Sequence, residues 1–201
     1  MTDVESFIRF CESEFGTAVM DREARYVKEQ VSGADRILDV GCGIGSLEER
    51  FPEREILGLD RSATMLHAAR DRVAAPFIRG DATALPIATA SVDAVVCIST
   101  LEFIPDIDAV LTEAARVLDS DGTLVTLLLN THSEYVQSNL QRDGSYFQRM
   151  VHRDSAKLAD TILEYVDGEQ EFFLSISDEE IFESADPAKA AISAVVGTPR
   201  E

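Results

Sequence analysis

A glycine-rich turn placed directly after a short apolar run constrains this chain more than any other feature. Residues 36–40 form the run, and Gly41, Gly43 and Gly45 follow at alternate positions. Glycine lets the backbone turn sharply and lets a ligand approach where a Cβ would clash. A helix starting near Ser46 would aim its first amide groups at that ligand. The turn therefore predicts a strand, a ligand-binding loop and a helix in succession.

Short apolar runs and helical patterns alternate along the following residues. The apolar runs, which predict strands, lie at 36–40, 56–59, 76–78, 92–98 and 123–129. Continuous apolar runs are typical of parallel strands covered on both faces. Ser62 and Asp106 are predicted N-caps of helices that run to Val73 and Leu118, and Gly122 marks the turn before the fifth strand. The alternation predicts an α/β fold with a Rossmann-like, doubly wound, mostly parallel sheet.

The last third of the chain has a different pattern. Residues 131–165 are mostly polar and favour helix, with a break at Gly144. Residues 178–184 and 190–197 favour two strands, and Asp186 with the following proline signals a turn between them. Adjacent strands joined by a short turn must be antiparallel. We therefore expect the sheet to end in an antiparallel hairpin.

Polar side chains follow the predicted strands at one edge of the sheet. Asp60 lies 19 residues beyond Gly41, where a carboxylate can accept hydrogen bonds from both hydroxyls of a ribose. Asp81 lies 21 residues further on, where it can meet an adenine amino group, and Ser99 ends the strand at 92–98. A helix-capping charge for Asp60 and a loop aspartate for Asp81 are the alternative interpretations.

Charge excludes several classes of partner. The chain carries 37 acidic and 18 basic residues, a net charge of −19. A strongly negative surface repels nucleic-acid phosphates and anionic membranes, so DNA, RNA and lipid headgroups are poor partners. The three lysines, at 28, 157 and 189, are few beside so many carboxylates. This composition suggests the hypothesis of a salt-adapted protein.

Cysteines and apolar runs bear on the cellular compartment. Cys11, Cys42 and Cys97 are far apart and odd in number, which argues against a disulfide framework and against a metal site. Cys42 lies in the glycine turn, where a small filler residue is favoured over a catalytic thiol. No apolar run has the length of a membrane-spanning helix, and the acidic N-terminus is unlike a secretory signal. We expect a cytoplasmic protein.

Together these motifs resemble the class I S-adenosylmethionine-dependent methyltransferases, especially the type 11 small-molecule group. The matching segments, within roughly residues 35–130, are 38–45, 58–66, 80–86, 91–95 and 113–122. Two departures stand out. Asp119 to Gly122 replace a turn that usually carries proline and paired glycines, and the segment 99–103 lacks a histidine that is frequent in the family.

The resemblance implies S-adenosylmethionine as the cofactor. Gly41 and Gly43 would pack against its methionine portion and ribose. Asp39 would orient the methionine amino group, through water, and Ser99 would present its backbone near the same end.

The resemblance also implies how the nucleoside is held. Asp60 would hold the ribose hydroxyls, while Asp81 and Ala82 would contact adenine. The implied activity is methyl transfer to a small-molecule acceptor by direct displacement. Because the cofactor carries the reactive carbon, no universal catalytic side chain is expected.

An acceptor site is expected above the same sheet edge. We predict one structural domain, in which residues 1–35 form helices that cover the cofactor site and 36–201 form the methyltransferase domain. Helices are expected at 3–10 and 21–31, and residues 131–165 are expected to be an insertion on the acceptor side. The candidates for lining the acceptor pocket, the last four of them also weak catalytic candidates, are Phe15, His132, Tyr135, Tyr146 and His152.

One short segment reverses the charge of the chain. Residues 140–153 contain Arg142, Arg149 and Arg153 against the single acid Asp143, a local net charge of +2. This suggests the hypothesis that the segment attracts an anionic acceptor. A solvated helix face that balances nearby acids is the alternative.

Two other functions share these motifs. A nicotinamide-dependent oxidoreductase has a similar glycine turn and acidic residue, but here Ser46 stands where its fingerprint has the last glycine. A non-catalytic regulatory protein that binds S-adenosylmethionine is the second alternative. The sequence predicts neither the acceptor nor the oligomeric state.

Overall fold

The computed structural model describes residues 3–177 and 179–200, apart from the side chains of Asp3 and Val4. Within these residues, eight strands form one mixed sheet in the order β3-β2-β1-β4-β5-β8-β6-β7. In chain order, strands β1 to β8 are Arg36–Val40, Glu55–Asp60, Phe77–Arg79, Val92–Ile98, Leu118–Leu129, Val166–Ser177, Glu180–Glu183 and Ala190–Pro199. The expected Rossmann-like sheet is confirmed.

Seven α-helices flank this sheet in the described part of the chain. In chain order, α1 to α7 are Asp3–Glu12, Glu14–Gln30, Ser46–Arg50, Ala63–Arg72, Ile107–Val117, Glu134–Gln141 and Ser155–Tyr165. Short 3₁₀ turns span Leu101–Phe103 and Tyr146–Arg149. The predicted caps are present: Ser62 accepts a hydrogen bond from the backbone N of Met65, and Asp106 from that of Ala109.

The parallel half of the sheet creates a topological switch point. Strand β1 pairs in parallel with β2 on one side and with β4 on the other, so the strand order reverses between β1 and β4. Ligands of open α/β sheets bind at the carboxyl ends of the strands at this point. The glycine turn that follows β1 lies there.

The antiparallel half differs from the sequence prediction in its pairing. Both predicted strands are present, as β7 and β8, although residue 178 lies outside the described residues. Strand β6, which the sequence analysis does not assign, lies between them and pairs antiparallel with both. The edge hairpin is therefore formed by β6 and β7, and the turn at Asp186 does not join two paired strands.

The turn before the fifth strand is absorbed into β5. Pairing of β4 with β5 jumps from Val92 with Leu118 to Ala94 with Thr123. The four intervening residues of β5 therefore lie outside the regular pairing. At Asp119, the side chain accepts a hydrogen bond of 3.2 Å from the backbone N of Asp121, which stabilises this irregularity.

Alternate side chains of β1 enter the two cores of the domain. Ile37 belongs to the core under α2 and β8, whereas Leu38 belongs to the core under α5 and α7. Both are almost fully buried. Helices thus cover both faces of the sheet, which leaves the carboxyl ends of the parallel strands as the place for a site.

Candidate functional site

A cavity of about 350 Å³ opens at the carboxyl ends of β1, β2, β3 and β4. Its size falls within the range of small-molecule sites. Every residue that the sequence analysis assigned to cofactor binding lines it, namely Asp39, Gly41, Gly43, Asp60, Asp81, Ala82 and Ser99. The sequence therefore predicted residues that form the cavity wall at the switch point.

The glycine turn needs two of its glycines for different reasons. Gly41 has φ +80°, and a Cβ there would lie 2.4 Å from the side chain of Thr100. Gly43 has φ +55°, and a Cβ there would meet only the ring of Phe7, at 3.8 Å. Gly41 is thus required by packing, whereas Gly43 leaves space on the cavity side of the turn.

Asp60 at the end of β2 ties this turn to the next helix. Its Oδ2 accepts a hydrogen bond of 3.1 Å from the backbone N of Gly43, and its Oδ1 accepts one of 2.7 Å from Ser62. A carboxylate offers about four lone-pair positions. Two positions remain for a ligand with two hydroxyl groups.

Asp81 and Ser99 mark the ends of the neighbouring strands. Asp81 is exposed, and its Oδ1 accepts hydrogen bonds from the backbone N and hydroxyl of Thr83, which lower its pKa. The ionised side chain can accept a further hydrogen bond from an amino group. Ser99 has φ +45°, an uncommon backbone conformation for a residue with a Cβ, and such strain clusters at ligand sites.

Asp39 belongs to a set of buried acids below the turn. It is 3% exposed, and its pKa is raised well above the usual value, chiefly by burial and then by the charges of Glu48 and Asp60. Burial raises the pKa of Glu48 to about 7, and neither of its carboxyl oxygens has a hydrogen-bond partner among the described residues. This region favours a cationic ligand group.

The weak catalytic candidates separate into two pairs. Tyr135 and Tyr146 line the cavity. His132 is exposed and lies outside the lining. His152 also lies outside it, and its Nε2 donates a hydrogen bond of 2.9 Å to the carbonyl of Ile104. We therefore set the two histidines aside.

Phe15 lies behind the wall instead of on it. Its ring contacts Phe10 and Tyr135, with centroids 6.0 and 6.2 Å away, and both partners line the cavity. Phe15 supports the wall residues, which is a correction to its predicted position in the lining.

One acid and several aromatic rings of the lining were not predicted from the sequence. Glu23 lies on α2 and is 8% exposed. The missed rings are those of Phe7, Phe10, Phe103 and Phe147. The signal for Glu23 was its place on the apolar stripe of α2 between Val19 and Val27, four residues from each.

Glu102 stands in the segment where the family frequently has a histidine. It is 1% exposed; its Oε1 accepts a hydrogen bond of 2.6 Å from the backbone N of Leu129, and its Oε2 has no partner among the described residues. Burial raises its pKa to about 7. It lies outside the cavity lining, but its charge raises the pKa of Glu23, which is part of that lining.

The described residues contain neither a metal cluster nor a membrane-spanning helix. No group of three or more histidine, cysteine, aspartate or glutamate side chains is arranged to hold a metal ion. No helix there is both long and apolar enough to cross a membrane.

Comparison with known proteins identifies the domain. The type 11 family model, described as a methyltransferase domain, matches residues 38–126. A malonyl-[acyl-carrier protein] O-methyltransferase of Hahella chejuensis is 38% identical over 117 residues, 54% of this chain and 42% of that protein. A demethylmenaquinone methyltransferase of Deinococcus radiodurans is 41% identical over 101 residues, 46% of this chain and 42% of that protein. The chain thus spans less than half of either relative.

A solved structure matches over nearly the full length. A Thermotoga maritima protein, described as a SAM-dependent methyltransferase and possible histamine N-methyltransferase, has a TM-score of 0.83 and 19% identity. The match covers 98% of this chain and 96% of that one, which establishes the fold beyond residue 126. The family match and the motifs thus show that residues 38–126 form a methyltransferase domain of the type 11 group, and the whole chain shares its fold with a solved SAM-dependent methyltransferase.

Proposed function

We propose that this chain transfers the methyl group of S-adenosylmethionine to a small-molecule acceptor by direct displacement. One observation carries the proposal: a single cavity brings together the glycine turn, the three strand-end carboxylates Asp39, Asp60 and Asp81, and a wall of aromatic side chains. The carboxylates suit the cofactor, and the aromatic wall suits an acceptor beside it.

The carboxylates fit the three polar parts of the cofactor. Asp60 keeps two lone-pair positions for the ribose hydroxyls, and Asp81, next to the buried Ala82, suits the adenine amino group. Asp39 has no cationic partner among the described residues, so an ammonium group nearby would favour its ionised form. Ser99 would present its backbone at the methionine end.

The protein's contribution to the reaction is alignment and exclusion of water. When bound, S-adenosylmethionine supplies an electrophilic methyl carbon on a sulfonium sulfur. Helices α1 and α2 line the cavity through side chains such as Phe7 and Met20, and residues 131–165 add Tyr135 and Tyr146. These side chains would hold an acceptor atom in line with the methyl carbon and keep water away from it.

A turnover assay tests this function. The protein is incubated with methyl-tritiated S-adenosylmethionine and separate panels of amines, carboxylic acids and alcohols, and S-adenosylhomocysteine is quantified by chromatography. We expect its formation to depend on an acceptor. Cofactor binding without turnover on any panel would contradict the proposal and favour the non-catalytic alternative.

An anionic acceptor is a second candidate, which one arginine favours. Arg149 lines the cavity with an exposed side chain, whereas Arg153 donates hydrogen bonds to the carbonyls of Met150 and Gln148 and Arg142 lies outside the lining. The positive charge of the segment therefore reaches the cavity through one side chain.

Charge reversal tests the second candidate. Arg149→Glu is expected to raise the KM of a carboxylic-acid acceptor, while Arg142→Glu, with the same change in net charge outside the lining, is expected to leave it unchanged. Equal effects of the two variants would contradict the proposal of an anionic acceptor.

The expected cytoplasmic location of the protein stays a prediction.

A further inference from the structure

Glu23 is a buried acid on the cavity wall. Helix α2 places it on its inner face between Val19 and Val27, and the side chains next to it, Met20 and Ala24, also line the cavity. The residue is 8% exposed. An acid in this position is costly unless something pairs with it.

The described residues provide Glu23 with no hydrogen-bonded partner. Among the described residues, no hydrogen bond or ion pair reaches its carboxyl group. Arg50, whose charge lowers the pKa of Glu23, donates instead to Asp21 at 2.7 Å and to the backbone carbonyls of Ser46 and Thr17.

The titratable groups that face Glu23 come from four elements. Arg50 of α3 favours its ionised form, and Glu102 opposes it. The charge of Glu23 contributes to the raised pKa values of Tyr135 of α6 and Cys11 of α1. Burial is the largest effect and raises the pKa of Glu23 to about 8.

Aromatic rings line the same cavity as this acid. Phe103 and Phe7 contact Tyr146 with centroids 4.9 and 5.2 Å away, and Tyr135 contacts Phe147 at 6.1 Å. All five line the cavity. Ring faces attract cations, and they bury apolar groups. An anion beside Glu23 would instead add a second negative charge close to Glu102.

We propose that the acceptor is a small amine with an apolar body, and that Glu23 binds its nitrogen and takes its proton. The inference rests on the proposed methyl transfer and adds the class of substrate. Arg149 is exposed whereas Glu23 is buried, so the two charges would meet different parts of an acceptor.

The proton transfer balances with the displacement. The ammonium form of the acceptor gives one proton to the Glu23 carboxylate, which yields a neutral amine and a carboxylic acid. The nitrogen lone pair then forms the N–C bond to the methyl carbon while the C–S bond breaks. The electron pair of the C–S bond stays on sulfur. The methylated ammonium product leaves, and Glu23 loses its proton to solvent when the next ammonium acceptor binds.

Binding calorimetry on protein saturated with S-adenosylhomocysteine tests the inference. The ligands are 2-phenylethylamine and its neutral counterpart 2-phenylethanol. We expect the amine to bind at least about tenfold more tightly, as expected for one charge-assisted hydrogen bond. Equal affinities would overturn the inference.

Two variants on one helix sharpen the test. Glu23→Gln keeps the shape without the charge and should reduce the preference to less than about threefold. Glu29→Gln, an exposed position of α2, should keep it. An unchanged preference in Glu23→Gln would contradict the role of this residue.

Proton release provides a readout that a merely structural role would not produce. Since Glu23 is mostly protonated at pH 7, binding of a cationic amine should release close to one proton, measured as the dependence of the binding enthalpy on buffer ionisation. Glu23→Gln should abolish the release. Failure to bind S-adenosylmethionine would refute the proposed function, whereas intact cofactor binding without amine preference would refute only this inference.

Discussion

Asp60 at the end of β2 accepts a hydrogen bond of 3.1 Å from the backbone N of Gly43, so one strand end fixes the glycine turn of its neighbour. The same carboxylate holds Ser62 at the start of the next helix. Cofactor geometry and turn geometry therefore depend on one side chain.

Two substitutions of Asp60 should weaken S-adenosylmethionine binding by different amounts. Asp60→Asn keeps one acceptor oxygen and loses the charge, and we expect about a tenfold higher Kd; Asp60→Ala removes both oxygens, and we expect about a hundredfold or more. Titration calorimetry measures both. Asp143→Ala, an exposed acid outside the cavity lining, is the control, and equal Kd values in all four proteins would rule out the role of Asp60.

Gly43→Ala should affect stability and binding together. Its φ of +55° is unfavourable for alanine, at a cost of about 1–2 kcal/mol, and the added methyl group would occupy space on the cavity side of the turn. Gly144→Ala has the same backbone penalty at φ +74°, with no atom within 4 Å of its Cβ. Both should lower the free energy of unfolding in urea, but only Gly43→Ala should lose cofactor affinity.

Glu48 makes the stability of the domain depend on pH. Because the pKa of its carboxyl is raised from 4.5 to about 7, the stabilisation is complete below pH 4.5 and is lost as pH rises through 7. Glu48→Gln should therefore gain stability over the wild type across this range, by up to roughly 3 kcal/mol.

Urea unfolding at several pH values measures this difference between variant and wild type. Loss of the Glu48 charge also removes its repulsion of Asp39, whose pKa Glu48 raises, and this should further increase the stability of the variant. Glu164→Gln, exposed on α7, serves as the control. A difference that does not change with pH would show that Glu48 is ionised in the folded protein.

Salt should stabilise this chain. With a net charge of −19, repulsion between surface carboxylates opposes folding, and dissolved ions screen it. We expect Tm to rise between 0.1 and about 2 M KCl, as the screening length shortens. A Tm that stays constant over this interval would contradict the hypothesis of salt adaptation.

The sequence predicted the parts of the site whose geometry is local. Gly41, Gly43 and Asp60 belong to turns that directly follow apolar strands, so spacing alone brings them to one edge of the sheet. Glu23 was not predicted as a lining residue because its position on the cavity depends on how α2 packs against the sheet. No local sequence pattern specifies this packing. The positions of His132 and His152 outside the lining also depend on tertiary packing.

The missed strand has a physical explanation as well. Residues 166–177 of β6 are largely polar and exposed in their first half and include Gly168, so the run lacks the apolar continuity of a buried strand. Its pairing with β8 comes from tertiary contacts. The predicted hairpin between residues 178–184 and 190–197 followed from sequence proximity, which the intervening β6 overrides.

The most direct test of the account is a calorimetric titration of the wild-type protein with S-adenosylmethionine, with NAD as the control ligand, at both low and molar salt. The account predicts micromolar binding of S-adenosylmethionine and no binding of NAD. Preference for NAD, or binding of neither ligand at either salt concentration, would contradict it.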